Sequence, residues 1–133
     1  MKMNACFARA VWIALIAVFA STVTVVAFPR DGRVYTIRND RGGYVIDYAI
    51  RKLKLEQEGR PVKFDGRCDS ACTLYLALDS AQTCMTPAAR FGFHLPFGST
   101  ARGNKMAASF LLKNYPRWVH TWLKANGGLS SQI

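Results

Sequence analysis

Gly66-Arg67-Cys68-Asp69-Ser70-Ala71-Cys72-Thr73 is the stretch on which the reading of this chain turns. Val62-Lys63-Phe64 before it is a short run of β-formers, and Ala71 to Leu78 after it is almost wholly apolar. That order predicts a strand, a tight turn and a buried helix. Ser70 then sits at a helix start, where the helix dipole favours negative charge and the free N–H of Ala71 can face an oxyanion. The same residues also suit a plain structural role, with Asp69 or Ser70 capping the helix. A serine hydroxyl is a weak nucleophile by itself and needs a base beside it.

Working outward, Asn39-Asp40-Arg41-Gly42-Gly43 lies upstream and Phe91-Gly92-Phe93-His94-Leu95-Pro96 downstream. Gly42-Gly43 follows a predicted strand, Arg33 to Arg38, and opens a predicted helix. Without side chains its backbone can come close to a ligand and offer N–H groups. Phosphate binding is a second use of such a turn, but the longer glycine-rich fingerprint is missing. His94 is one of two histidines and follows a predicted strand between Thr86 and Phe93, so a rigid element would deliver it. The other, His120, lies among tryptophans and reads as a surface or interface residue.

The remaining pattern is helical. Val45, Ile46, Ala49, Ile50 and Leu53 recur at helical spacing, and Gly59 and Pro61 stop that helix. Met106, Ala107, Phe110 and Leu111 form a second amphipathic face, and Trp118, Val119, Trp122 and Leu123 a third after Pro116. Strands alternating with helices imply an α/β domain with mostly parallel pairing.

Taken together, these segments resemble the Clp protease proteolytic subunit and its crotonase-fold relatives. Asn39-Asp40-Arg41-Gly42-Gly43 is similar to that family's Asn-Ser-Pro-Gly-Gly loop, where a glycine N–H helps form the oxyanion hole. Ser70-Ala71 matches its nucleophile and following donor, and Pro87 to Pro96 matches the strand that ends in its histidine. The Cys-x-Ser-Ala-Cys turn looks most like the small exported members of the superfamily. The resemblance covers about Val34 to Pro96, with weaker helical likeness to Gly128. It implies ββα units around a mostly parallel sheet, Ser70 as nucleophile, His94 as base, and oxyanion donors among Gly42, Gly43 and Ala71. It also implies a peptide or protein substrate and no cofactor.

One departure matters. The family takes a third catalytic residue, an aspartate, from well after its histidine, whereas no Asp or Glu follows Asp79 here. The expectation is therefore a domain shortened at its C-terminus or an incomplete triad, with Asp40, Asp65 and Asp69 as substitutes for the acid. Arg41 replaces the family's proline. The alternative is a catalytically weak or inactive peptide-binding module of the same fold.

The start of the chain reads as a targeting segment. Lys2 and Arg9 precede the apolar run Val11 to Ala20, and Val25-Val26-Ala27 is an acceptable cleavage site. The expected organisation is residues 1–27 as a signal peptide, or an N-terminal anchor if uncleaved, and residues 28–133 as one domain. An exported, periplasmic or secreted location favours a disulfide among Cys68, Cys72 and Cys84. The spacing of Cys68 and Cys72 is unlike the common zinc knuckles, so no metal is expected. The chain has 133 residues, is 50% hydrophobic and carries a net charge of +10. All 8 acids lie between Asp31 and Asp79; beyond them come Arg90, Arg102, Lys105, Lys113, Arg117 and Lys124 with no acid. Those cations are scattered singly, which argues against specific nucleic-acid binding; they suit an ordinary solvated basic surface or, for an exported protein, contact with an anionic envelope surface. Trp118 and Trp122 offer either core packing or a contact between copies of the chain.

Overall fold

The computed structural model describes residues 34–129; the expected signal peptide lies outside them. Strand β1, Tyr35–Asp40, leads into helix α1, Val45–Gln57. Strand β2, Val62–Asp69, runs directly into a 3-10 helix, Ser70–Ala77. Two short strands follow, β3, Thr83–Met85, and β4, Arg90–Gly92. Helices α2, Ala101–Asn114, and α3, Arg117–Ala125, complete the described chain. The protein is therefore mixed α/β, and the three strand pairings among the described residues are all parallel.

β2 is the centre of the sheet. One edge pairs with β1; the other pairs with β3 along its first half and β4 along its second. Val62, Phe64 and Cys68 on β2 are fully buried. Removing a side chain the size of Phe64 or Val62 from water contributes on the order of 1.5–3 kcal/mol. The β1–β2 register slips between Ile37 and Asn39, where β2 carries one extra residue. Gly66 lies in that bulge because a Cβ there would fall 2.0 Å from the Arg38 carbonyl oxygen. The expected strand at residues 62–64 thus continues through the bulge to Asp69.

The 3-10 helix packs against the sheet, α1 and α2, with Ala71 to Leu76 buried. Eight residues is long for this tighter helix, whose hydrogen bonds are poorly aligned. Tertiary anchors hold it. Thr73 Oγ1 donates to the Ser70 carbonyl at 2.5 Å and lies 2.6 Å from the Tyr115 hydroxyl at the end of α2. Phe64, Phe91 and Trp118 form a chain of edge-on rings from the sheet to α3, and Phe93 packs on Tyr115 and Trp122. Trp118 is half-buried in this cluster, while Trp122 remains largely exposed.

Helix α1 turns inward only part of the face its apolar spacing suggests: Ala49 is buried and Val45 packs against the core. Tyr48, Ala49 and Leu55 are buried, whereas Ile46, Ile50 and Leu53 are more than half exposed. Tyr48 decides this orientation. Its hydroxyl donates to Asp40 Oδ1 at 2.5 Å, and its ring lies 5.5 Å from that of Tyr75. Arg51 Nη1 donates to the Tyr75 hydroxyl from the same side.

Two measurements check this packing. Gly66→Ala should lower the unfolding free energy in urea by about 2–4 kcal/mol, because backbone must move. Gly59→Ala, with φ +57° and open space around it, should cost only about 1 kcal/mol. The second concerns alkali. Burial, and for Tyr48 the adjoining Asp40 carboxylate, raises the Tyr48 phenol well above its ordinary value. Burial raises Tyr75 and Tyr115 in the same direction. The folded protein keeps these protons when the unfolded chain loses them. Stability should be intact below about pH 10 and fall above it, by about 1.4 kcal/mol per pH unit for each such phenol. Tyr48→Phe should flatten that slope in unfolding curves taken from pH 9 to 11.5.

Candidate active site

The site is built where three strands end side by side. Asp40 pairs with Cys68 in the β1–β2 register, and Cys68 and Asp69 pair with Phe91 and Gly92 in the β2–β4 register. The chain leaving β1 supplies Gly42 and Gly43, the chain leaving β2 supplies Ser70, and the chain leaving β4 supplies His94. In open α/β sheets, ligands bind at these carboxyl ends.

Ser70 has φ +57°, the only positive φ of a non-glycine residue among the described ones. A β-carbon makes that conformation cost about 1–2 kcal/mol. The sharp turn lets Ser70 face the cleft although the helix behind it is buried. Hydrolytic serines on strand-to-helix turns are presented in this way. Gly42, with φ +81°, packs directly onto this turn: a Cβ there would lie 2.6 Å from Ser70 Cβ and 2.9 Å from the Ala71 nitrogen. Only glycine permits the approach.

Asp40 holds the glycine loop. Its Oδ1 accepts the Gly42 N–H at 2.9 Å as well as the Tyr48 hydroxyl. The Gly42 N–H is therefore committed to Asp40; Gly43 lines the cleft, whereas Ala71 is fully buried and is not among the residues that line it. His94 is buried, its ring 5.5 Å from that of Phe97. Its Nδ1 lies 2.9 Å from the Leu95 carbonyl oxygen. A carbonyl only accepts, so in the neutral ring that contact selects the tautomer with its proton on Nδ1 and the lone pair on Nε2.

No carboxylate contacts His94 among the described residues. Asp69 is buried but takes its bond from Arg67 Nε, and Gly92 gives its carboxylate room. Asp65 accepts from Thr86 Oγ1 and pairs with Arg38 and Lys63, and Asp40 is occupied as described. The three acids weighed as substitutes for a triad aspartate thus have other partners.

Ser70, His94, Gly42 and Gly43 line one open cleft of about 600 Å³, together with Arg41, Arg67 and Asp69. Its lips are apolar: Tyr44, Ile46 and Phe97 all line it and are each more than 60% exposed. No protein hydrogen bond joins Ser70 to His94 among the described residues; what they share is the cleft. Cys68 and Cys72 form a disulfide across the serine turn. No described cysteine, Cys84 included, is a free thiol. Among the described residues no cluster of His, Cys, Asp or Glu is placed to hold a metal ion, and no helix is long and apolar enough to cross a membrane.

No family model matches this chain, and neither a curated protein nor a solved structure matches it.

Three parts of the site had little sequence signal. The Asn-Asp-x-Gly pattern is an Asx-turn signature and could have pointed to Asp40. The apolar lips are ordinary hydrophobic residues that happen to stay exposed. The Leu95 carbonyl has no side-chain signature at all. Asp40→Ala should leave the Gly42 N–H and the buried Tyr48 hydroxyl without their acceptor and cost about 1–3 kcal/mol. Asp40→Asn, which keeps one acceptor oxygen, should cost less in the same denaturation series.

Proposed function

We propose that the protein is an exported serine hydrolase-like protein, akin to the Clp protease and crotonase superfamily, that acts on peptide or related acyl bonds. The observation that carries this reading is the arrangement of Ser70 and His94 on one cleft, with Ser70 turned into it by a left-handed backbone beside a glycine loop. Ser70 Oγ attacks the acyl carbon. His94 Nε2, its tautomer set by the Leu95 carbonyl, takes the hydroxyl proton. The Gly43 N–H on the cleft stabilises the oxyanion, and the proton on His94 passes to the leaving group as its bond to the acyl carbon breaks. A water that gives its proton to His94 then cleaves the Ser70 ester, releasing the acid and restoring the serine. The apolar lips hold side chains of the substrate. The disulfide implies a non-reducing environment, consistent with export.

A backbone carbonyl fixes the ring but carries no full charge to stabilise the imidazolium. Loss of the orienting acid lowers turnover by about 10⁴ in a serine protease. The expected enzyme is therefore slow. That same observation favours a second reading, a peptide-binding module that keeps the cleft with little or no turnover.

A fluorophosphonate probe separates the two. The hydrolase reading expects one adduct on Ser70 by intact mass and peptide mapping, none in Ser70→Ala, and labelling about 10²-fold slower in His94→Ala. On an activated ester the double variant should lose little more than either single one, because the pair acts as a unit. A folded protein that takes no label while retaining peptide binding establishes the module instead.

A further inference from the structure

We infer that the Cys68–Cys72 disulfide is the positioning element that keeps Ser70 in its left-handed, cleft-facing conformation, so that the serine is fully reactive only in the oxidised protein. This rests on the reading of Ser70 as the nucleophile. The bond spans four positions and closes a small covalent ring with Ser70 at its midpoint. Both cysteines are completely buried. Cys68 is fixed in the sheet, paired with Asp40 on β1 and Phe91 on β4, the strands whose ends deliver the glycine loop and His94. Cys72 lies in the first turn of the 3-10 helix and is equally enclosed.

The ring matters because of what it encloses. A non-glycine residue at φ +57° persists only where its surroundings over-determine it. Noncovalent restraints act too: Gly42 abuts Ser70 Cβ and the Ala71 nitrogen, and Thr73 Oγ1 holds the Ser70 carbonyl. The disulfide adds the one covalent link, beyond the main chain, between the strand entering the turn and the helix leaving it. With the bond open, Ser70 can relax toward the right-handed or extended region. That rotation carries its hydroxyl away from the cleft and the Ala71 N–H away from the glycine loop. The sulfurs stand two residues on either side of the serine, where G-x-S-x-G turns carry glycines to allow close packing. Here a covalent bond fixes the turn that small residues merely permit.

The test compares oxidised protein, protein treated with dithiothreitol, and Cys68→Ala/Cys72→Ala. Dithiothreitol, a dithiol, gives two electrons and two protons; the Sγ–Sγ bond becomes two thiols and the reagent closes to a cyclic disulfide. The Ser70 ¹³Cα and ¹³Cβ shifts report its backbone conformation, and the fluorophosphonate rate reports its reactivity. Reduction and the double substitution should each move the Ser70 shifts away from left-handed values. Labelling should slow by on the order of tenfold or more, with the amide spectrum of the sheet retained. Reoxidation in air should restore both readouts in the unsubstituted protein. The double variant should not respond to dithiothreitol, which separates this bond from any effect at Cys84. Left-handed Ser70 shifts surviving in folded, reduced protein overturn the proposal. So does reduction that unfolds the whole sheet, since the bond would then be a general staple. If the double variant does not fold, the reduced unsubstituted protein decides by the same shifts. If oxidised protein takes no label but its Ser70 shifts move on reduction, the clamp stands and the nucleophile assignment falls.

Discussion

Everything in the site depends on β2 being hydrogen-bonded along both edges. Parallel strands paired in register end at the same level, so their carboxyl-terminal loops emerge side by side. β2 fixes β1 through Tyr35 to Asp40 and β4 through Arg90 to Gly92. The Gly42 loop, the Ser70 turn and His94 therefore converge although 24 positions separate the serine from the histidine. The bulge at Gly66 adjusts the last part of β2 to both neighbours at once. A side chain there would drive β1 from β2 just before the site begins.

Around that framework, glycines are used for proximity. Gly42 lets one loop lie against the serine turn, and Gly92 lets the Asp69 carboxylate approach β4. Asp69 is buried, yet its charge is met by Arg67 at the edge of the cleft. Isolated, such a carboxylate would be costly; paired and hydrogen-bonded, it is tolerated. The cleft thus contains one ionic pair, the neighbouring Arg41, and a rim of exposed apolar side chains.

The local features were legible in the sequence because they are made by neighbouring residues. Val62 to Phe64 leading into Ser70, the Gly42-Gly43 turn and the strand before His94 each carry their signal within a few positions. The mostly parallel α/β class follows from their alternation. What was not legible depends on distant partners. Spacing alone favoured Val45, Ile46, Ala49, Ile50 and Leu53 on α1; with Tyr48 bound to Asp40 and packed on Tyr75, Val45 and Ala49 turn inward and Ile46, Ile50 and Leu53 stay exposed. β3 and β4 are two short strands rather than one because β2 offers two separate half-edges. The anchoring of the serine helix by Tyr115, 42 positions away, is encoded by no local pattern.

That anchor has a consequence for how the protein is made. Thr73 and Tyr115 are 42 positions apart, and at about 5–20 residues per second a ribosome needs roughly 2–8 s to get from one to the other. Throughout that interval the nascent chain already holds the glycine loop and the serine, but lacks the hydroxyl that ties down the helix behind them. The rings of Phe91 and Phe93 likewise wait for Tyr115, Trp118 and Trp122. Synthesis order thus imposes a delay between the appearance of the serine and that of its support in α2 and α3.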